Sequence, residues 1–116
     1  MKRNENIFLK DILESISNIE NFSRELTKKD FINSIEKQSA TIRQIEIIGE
    51  AVKNISDLIK EKNSAVEWKK IAGMRDIIIN QYFNINVEII GDVIVNKSPK
   101  LKLEVQKIKN NLEEFS

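Results

Sequence analysis

The sequence of 116 residues has no histidine and no cysteine, and these two absences exclude several kinds of chemistry. Without cysteine, the chain cannot supply disulfides, thiolate metal sites, iron–sulfur clusters or a cysteine nucleophile. Without histidine, it lacks the imidazole that serves in catalytic triads, in zinc sites and as the usual general base near neutral pH. Any hydrolytic chemistry must therefore use carboxylates, lysine, tyrosine, arginine or a carboxylate-bound metal ion.

A strong net charge and long apolar runs are also missing. Lys and Arg number 19 and Asp and Glu 18, which gives a formal net charge of +1. Bulk positive charge therefore cannot drive binding to nucleic acid, although a local basic face can still do so. The uncharged run 77–87 is far shorter than the roughly 20 residues of a membrane span, and the apolar stretch 7–9 is too short for a signal peptide. We therefore expect a cytoplasmic protein with no membrane segment.

One proline and three glycines leave few helix breakers, and apolar residues recur every three or four positions, which predicts helices. A first helix has an apolar face over residues 8–22. A capping-box sequence at 27–30 then precedes an apolar stripe over 31–59, which predicts one long central helix of roughly thirty residues. Gly49 within this helix predicts the close approach of another helix, because glycine there costs about 1 kcal/mol relative to alanine.

Three further helices are predicted by the same kind of pattern. Residues 64–67 form a second capping-box sequence before a helix that extends to about Tyr82, and 84–86 read as a turn whose Asn86 can cap a segment over 87–95. That segment is rich in β-branched residues, so a strand there stays open. Ser98 as N-cap and Pro99 as first helical residue open the last helix. The sequence thus predicts an all-α, up-down bundle of about five helices in a single domain over residues 1–116.

The predicted central helix is apolar over a wide arc. Five apolar residues come close together in it: Ile42, Ile45, Ile47, Ile48 and Ala51. Such a helix packs against a second surface when the protein is a homodimer, or it lies at the centre of its own bundle. Periodicity alone does not separate these two arrangements.

Three segments stand out in order along the chain: RQIEIIGEA at 43–51, WKKIAGMR at 68–75 and NQYF at 80–83. Together with a closing helix after a Pro-Lys-Leu turn, they resemble the HepT-like group of the HEPN superfamily over nearly the whole chain. That resemblance implies an all-helical homodimer that is the toxin of a HepT–MntA (type VII) toxin–antitoxin pair, a metal-independent ribonuclease with no cofactor. It also implies an RNA substrate and an MntA-like minimal nucleotidyltransferase antitoxin, which silences the toxin by transferring AMP to a tyrosine.

The family signature is Arg, four residues, His, one residue, Tyr, and here it reads Arg75, Asn80 and Tyr82. By the resemblance, Arg75 is the catalytic residue that stabilises the phosphate, and Tyr82 is the AMP acceptor. Asn80 stands at the His position, where a carboxamide can orient substrate but cannot transfer a proton. Losing proton transfer typically removes a factor of about 10² to 10⁴ in rate. Glu46 and Asp76 are conceivable substitute bases, and the spacing favours neither.

The change at Asn80 leaves several alternatives open. The chain fits a naturally degenerate member that binds RNA and cleaves it poorly, an active-site variant made so that a toxic protein can be produced, or a ribonuclease that uses a different set of residues. It also fits a non-catalytic helical interaction module that dimerises and binds a nucleotidyltransferase partner. A third class of function that the chain fits is a plain helical scaffold, with only a structural resemblance to the family.

Lysines concentrate in two places. Lys69 and Lys70 precede Arg75, and the C-terminal segment carries several lysines against the single Glu104 between them. These C-terminal lysines are Lys97, Lys100, Lys102, Lys107 and Lys109. Such a pattern is typical of a face that follows RNA phosphates, or of a solvated helix face.

Overall fold

The computed structural model describes residues 2–79 and 87–114, and within them every regular element is a helix. The elements are α1 (Lys2–Ser23), α2 (Lys28–Ile32), α3 (Ile35–Lys53), α4 (Asp57–Lys62), α5 (Trp68–Ala72), α6 (Met74–Ile79), α7 (Val87–Asp92), a π-helical segment (Val93–Lys97) and α8 (Ser98–Glu114). The predicted all-α fold is confirmed, and so is a helix rather than a strand after residue 87. No helix in the described ranges is long and apolar enough to cross a membrane. The predictions for Asn80, Tyr82 and the 84–86 turn with its Asn86 cap lie outside the described residues.

The core lies around α3, which contacts α1, α2, α5, α6 and α7, while α8 packs against α1. Isoleucines fill much of it: Ile12, Ile16 and Ile19 of α1 are 0% exposed, and Ile45 of α3 is 1% exposed. Each fully buried side chain of this size contributes about 1.5–3 kcal/mol to folding. The stripe that was predicted over 8–22 is therefore the inner face of α1.

The wide apolar arc of α3 is largely explained by packing within the chain. Ile42, Ile45, Ile48 and Ala51 are all buried there, and only Ile47 remains half-buried. The arrangement in which this helix is central to its own bundle thus accounts for four of the five apolar residues.

The single long helix predicted over 31–59 is wrong, because the chain interrupts it twice. At the first break, α2 ends at Ile32 and Ser34 caps α3 by accepting a hydrogen bond from the Lys37 N–H (3.1 Å). The buried Gln38 closes this junction, since its Nε2 donates to the carbonyl oxygens of Phe31 and Ile32, both at 2.9 Å. Carbonyls at the end of a helix lack an intrahelical partner. The Phe31 carbonyl also accepts the Ser34 N–H at 3.2 Å, and Gln38 adds a bond to it and one to the Ile32 carbonyl, which ties the end of α2 to α3.

The second break lies between α3 and α4. Asn54 ends α3, and its side-chain amide donates to the carbonyl oxygen of Glu50 at 2.8 Å. Ser56 then caps α4, and the carboxylate of Glu5 in α1 accepts the Ser56 N–H at 2.7 Å. Apolar residues keep a helical spacing across both breaks, and periodicity alone therefore predicts one helix where three are present.

One of the two predicted capping boxes is present. At Thr27 and Asp30, each side chain accepts a hydrogen bond from the other residue's backbone N–H, at 3.1 and 3.3 Å, so this prediction is confirmed. The box predicted over 64–67 is wrong, since α5 starts at Trp68 without a side-chain cap. Trp68 determines this start instead: its ring is buried and its Nε1 donates to the carbonyl oxygen of Asn63 at 3.1 Å.

The last helix begins at Ser98, as predicted, but the N-cap role predicted for Ser98 is wrong, because the chain is already helical from residue 87. Ser98 has helical dihedral angles (φ −69°, ψ −39°) and is buried, and its hydroxyl donates to the carbonyl oxygen of Ile94 at 3.3 Å. Pro99 has no N–H to donate to the carbonyl of Val95, four residues before it. The π-helical segment directly before α8 lies where that α-helical hydrogen bond cannot form.

Candidate functional site

A groove of about 410 Å³ lies between α1, α3 and the α5–α6 pair. Phe8 and Ile47 give it an apolar part. Its charged lining consists of Asp11, Arg43, Glu46, Glu50, Lys53, Arg75 and Asp76. Four carboxylates thus face three cations, so the groove is not a basic channel and an anion there must be bound by particular side chains.

Gly49 and Ala72 bring α3 and α5 together at this groove. A Cβ atom built on Gly49 would lie 3.2 Å from the carbonyl oxygen of Ala72, closer than most Cβ atoms come to a neighbour. The absence of a side chain at Gly49 therefore lets the two backbones approach. The close helix contact predicted from this glycine is confirmed, and its partner is the segment directly before Arg75.

Gly73 separates α5 from α6, so the single helix predicted up to about Tyr82 is interrupted within the described residues. Hydrogen bonding continues on both sides of this glycine. Its N–H donates to the carbonyl oxygen of Lys69 (3.1 Å), and its own carbonyl accepts the N–H of Ile77 (3.2 Å). Since glycine weakens a helix interior, the interruption falls at the residue least suited to continue it. Arg75 follows in the first turn of α6.

Arg75 forms ion pairs with both carboxylates that the sequence offered as substitute bases. Its Nε lies 3.2 Å from Oε2 of Glu46, and its Nη1 lies 3.5 Å from Oδ1 of Asp76. The Arg75 side chain is 48% exposed, whereas Glu46 is 33% exposed and Asp76 75% exposed. Glu46 is therefore the more enclosed partner. The half-exposed guanidinium can still reach a phosphate, whose oxygens match its donors.

Part of this site was not predicted from the sequence. Phe8 and Asp11 line the groove although α1 carries none of the three characteristic segments. Arg43, Glu46, Ile47 and Glu50 do carry a signal, since steps of three and four residues place them on one face of α3. Charged residues at helical spacing beside an apolar stripe could have indicated that this face lines a site.

Of the three signature residues, the structure describes Arg75, because Asn80 and Tyr82 lie outside the described residues. Both follow α6 in the sequence, after its last residue Ile79. Within 2–79 and 87–114, no group of three or more carboxylates is placed to hold a metal ion. The described part of the site thus contains the Arg75 guanidinium with the Glu46 and Asp76 carboxylates beside it, together with the other charged side chains of the groove.

Comparison with known proteins links this chain to one family. The family model described as Ribonuclease HepT-like matches residues 12–108. A candidate RNase of Methanocaldococcus jannaschii is 40% identical over 112 residues, covering 97% of this chain and 93% of that protein. The "Probable ribonuclease HepT" of Thermococcus cleftensis is 38% identical over 109 residues, covering 94% of this chain and 99% of that protein.

A further relative from Methanocaldococcus jannaschii is longer than this chain. It is named as a gamma-glutamylcyclotransferase and candidate RNase, and it is 42% identical over 113 residues. The match covers 97% of this chain but only 51% of that protein, so the chain spans about half of its length. No solved structure shows a significant match.

Proposed function

The chain belongs to the HepT-like ribonuclease family, and for that reason we propose that it is the RNA-cleaving toxin of a HepT–MntA-type toxin–antitoxin pair. The observation that carries this proposal is the setting of Arg75. This residue, the first of the signature, lies in a groove with half of its side chain exposed and with Glu46 against its Nε. A guanidinium held in this way can contact a phosphate while a carboxylate stays beside it.

RNA cleavage through the ribose requires two functions from the site. A base must take the proton of the 2′-hydroxyl as its oxygen attacks phosphorus, and a cation must stabilise the extra negative charge that develops. The P–O5′ bond then breaks, which leaves a 2′,3′-cyclic phosphate and a 5′-oxygen that takes up a proton. We assign charge stabilisation to Arg75. Asn80 can hydrogen-bond the phosphate or a ribose hydroxyl and so orient the substrate. It cannot act as the base, and we therefore expect slow cleavage by the natural sequence.

A second candidate function is favoured by the same asparagine. If neither carboxylate replaces the missing imidazole, the protein is a non-catalytic module that keeps its dimer and its nucleotidyltransferase partner. The ribonuclease and the non-catalytic module differ in one property, which is whether the site can transfer a proton.

A ribonuclease assay of the natural protein beside an Asn80→His variant tests the proposal. We expect the histidine to raise the cleavage rate by about 10²- to 10⁴-fold, the usual contribution of general acid–base catalysis. Asn110→His is the matched control, because Asn110 is an exposed residue of α8 outside the groove. That variant should cleave no faster than the natural sequence.

Three results would count against parts of the proposal. Inactivity of both the natural protein and Asn80→His leaves the non-catalytic module as the better description. Cleavage that survives Arg75→Ala shows that the site lies elsewhere. Equal activation by Asn110→His would mean that the gain does not come from the signature position.

We also propose that the protein is a homodimer, with a second copy over the groove. Ile7 is 49% exposed and Ile77 is 55% exposed. Each adjoins in sequence a residue that lines the groove, Phe8 in α1 and Asp76 in α6. Apolar side chains that flank a partly apolar groove are suited to burial against another protein surface. A second copy would bring a second Arg75 to the same region.

The proposed protein partner is a small nucleotidyltransferase that transfers AMP to Tyr82. Support comes from the family and from the sequence, in which Tyr82 is the single tyrosine and occupies the last position of the signature. An adenylated tyrosine adds a bulky anion close in sequence to Arg75. Modification there would oppose the binding of an RNA phosphate. We therefore propose that AMP on Tyr82 silences the ribonuclease by electrostatic repulsion of its substrate.

A further inference from the structure

Three lysines from distant parts of the sequence meet on one surface of the bundle. Lys70 of α5, Lys97 at the end of the π-helical segment and Lys100 of α8 all line a shallow pocket above the core. All three are exposed, and two carboxylates, Glu67 and Glu104, line the same pocket, so the cations there exceed the anions by one. Apolar side chains, among them Met74, form the base of the pocket. We call the exposed side chains of Lys70, Lys97 and Lys100 the lysine surface.

Glu67 shows that these three charges act on the same region. Its carboxylate lies 2.9 Å from Nζ of Lys70, and this contact is the main reason why the pKa of Glu67 is lowered. The charges of Lys100 and Lys97 lower this pKa further, whereas slight desolvation raises it. The Glu67–Lys70 pair is exposed, so it contributes little to stability. Another anion can therefore replace the Glu67 carboxylate as the partner of Lys70.

The structure separates these lysines from others that the sequence placed in the same group. Lys102 turns away to α1, where its Nζ lies 3.2 Å from Oε1 of Glu20. Lys97 and Lys100 face α5 instead, where they join Lys70 around the pocket. The basic character of the C-terminal segment is therefore not uniform. Two of its lysines lie with a third from another helix, and Lys102 forms a bond between helices.

We propose that the lysine surface binds the phosphates of single-stranded RNA and leads the strand to Arg75. The inference rests on the proposed function, which supplies RNA as the substrate. Met74 lines the pocket under the lysine surface, and the next residue in the chain, Arg75, lines the groove. Lys70 of α5 and Arg75 of α6 are five residues apart in the chain, which keeps their Cα atoms within about 18 Å even for a fully extended backbone. One strand can therefore contact both.

RNA binding by this protein requires a local cluster of positive charge, because the net charge of the whole chain is small. With a net charge of +1, the protein has no general attraction for RNA, and the groove itself has more carboxylates than cations. Binding to phosphates then depends on the few places where cations cluster. On single-stranded nucleic acid, each phosphate contact changes the slope of log K against log salt concentration by about 0.7.

The test measures RNA binding separately from RNA cleavage. Fluorescence anisotropy of a labelled oligouridine is followed at several NaCl concentrations for the natural protein, for Lys97→Gln/Lys100→Gln and for Lys10→Gln/Lys29→Gln. The last variant is the matched control, because it removes two exposed charges outside the lysine surface. For two lost contacts, we expect the salt slope of Lys97→Gln/Lys100→Gln to fall by about 1.4 and its affinity in 0.1 M salt to fall roughly 25-fold.

Two results would overturn the inference while leaving the ribonuclease proposal intact. One is an unchanged salt slope in Lys97→Gln/Lys100→Gln, or an equal fall in the control. The other is competition by polyglutamate as effective as that of unlabelled oligouridine, which would make the surface a site for acidic protein. Conversely, lysine-dependent binding together with no cleavage by the Asn80→His variant supports the lysine surface and contradicts the ribonuclease proposal.

Discussion

The carboxylate of Glu46 on α3 lies 3.2 Å from Nε of Arg75 on α6, and this ion pair joins two of the sequence segments that identify the family. The contact is possible because Gly49, one turn further along α3, lets the backbone of Ala72 approach. Exposed ion pairs of this kind contribute about 0–1 kcal/mol to stability. The value of the pair therefore lies in the orientation of the guanidinium rather than in folding.

Arg75→Ala should slow RNA cleavage strongly without unfolding the protein. In the Asn80→His background, we expect RNA cleavage to fall about 10²- to 10³-fold, the usual cost of removing one group that stabilises transition-state charge. Glu46→Gln should lower cleavage less, because the guanidinium remains. Chemical denaturation should show that each substitution changes the free energy of unfolding by less than about 1 kcal/mol.

The Glu20–Lys102 pair provides the control for this prediction. Its Oε1–Nζ distance is also 3.2 Å, and both side chains are 39% exposed, but it joins α1 to α8 away from the groove. Lys102→Ala should have a similarly small effect on stability and none on cleavage. Loss of cleavage in Lys102→Ala equal to that in Arg75→Ala would contradict a specific role for Arg75.

The two helical glycines at positions 49 and 91 should respond differently to alanine. A Cβ atom on Gly91 would meet nothing within 4 Å, so Gly91→Ala should stabilise the protein by about 0.5–1 kcal/mol through helix propensity. At Gly49 the added atom meets the Ala72 carbonyl, and Gly49→Ala should fall short of that gain. Gly49→Val, which adds more volume, should destabilise by about 1–3 kcal/mol. Thermal unfolding of the three variants would measure this, and a Gly49→Val as stable as the natural protein would contradict the close contact.

Replacing the buried Gln38 should lower the stability of the protein, although its side chain is polar. Gln38→Ala removes the 2.9 Å bonds to the carbonyls of Phe31 and Ile32, of which the first keeps the Ser34 N–H at 3.2 Å, and we expect a loss of about 1–3 kcal/mol in the free energy of unfolding. Gln44→Ala is the control, because the side-chain bond of Gln44 to Asn18 is exposed. Urea titration of both variants checks the difference, and equal losses would show that the bonds of Gln38 do not hold α2 to α3.

Incubation with an MntA-like nucleotidyltransferase and ATP should add one AMP to the protein. Because the sequence has a single tyrosine, intact-mass analysis of Tyr82→Phe gives an unambiguous result. We expect the mass increase in the natural protein and none in Tyr82→Phe. AMP addition that persists in this variant would show that another side chain is the acceptor.

The proposed dimer can be tested through Ile77. Ile77→Asp introduces a charge beside the groove, and we expect sedimentation equilibrium to show a shift from dimer to monomer. Leu103→Asp is the matched control: Leu103 is 64% exposed on α8, against 55% for Ile77 on α6. Dissociation by Leu103→Asp rather than Ile77→Asp would place the interface on α8, and a monomeric natural protein would refute the dimer.

The sequence predicted those features that depend on neighbours within one turn of helix. The apolar stripe over 8–22, the Thr27 capping box and the need for glycine at position 49 are of this kind. The helix breaks were not predictable in the same way, because Ser34, Ser56 and Ser98 are equally good cap residues by type. Ser34 and Ser56 do cap helices, supported by Gln38 and by Glu5 respectively. Ser98 is buried inside a continuous helical segment. Contacts distant in sequence decide between these outcomes.

The candidate site was predicted in part for the same reason. Arg75 could be selected from the family signature, and Glu46 and Asp76 as carboxylates near it, but spacing did not show that both contact its guanidinium. Phe8 could not be placed in the groove from the sequence, since its position depends on how α1 packs against α3. Helical periodicity defines faces, and tertiary packing determines which faces meet.

The π-helical segment resets the angular phase of the C-terminal helix. Buried residues there follow steps of three, five, three, four and three, at Ile90, Val93, Ser98, Leu101, Val105 and Ile108. The step of five falls within Val93–Lys97 and Ser98, where the hydrogen bonds span five residues. In an uninterrupted α-helix, one surplus residue would rotate everything after it by about 100°. The wider turn absorbs that rotation, so a single helical rod keeps one inward face along both halves while Lys97 and Lys100 stay outside.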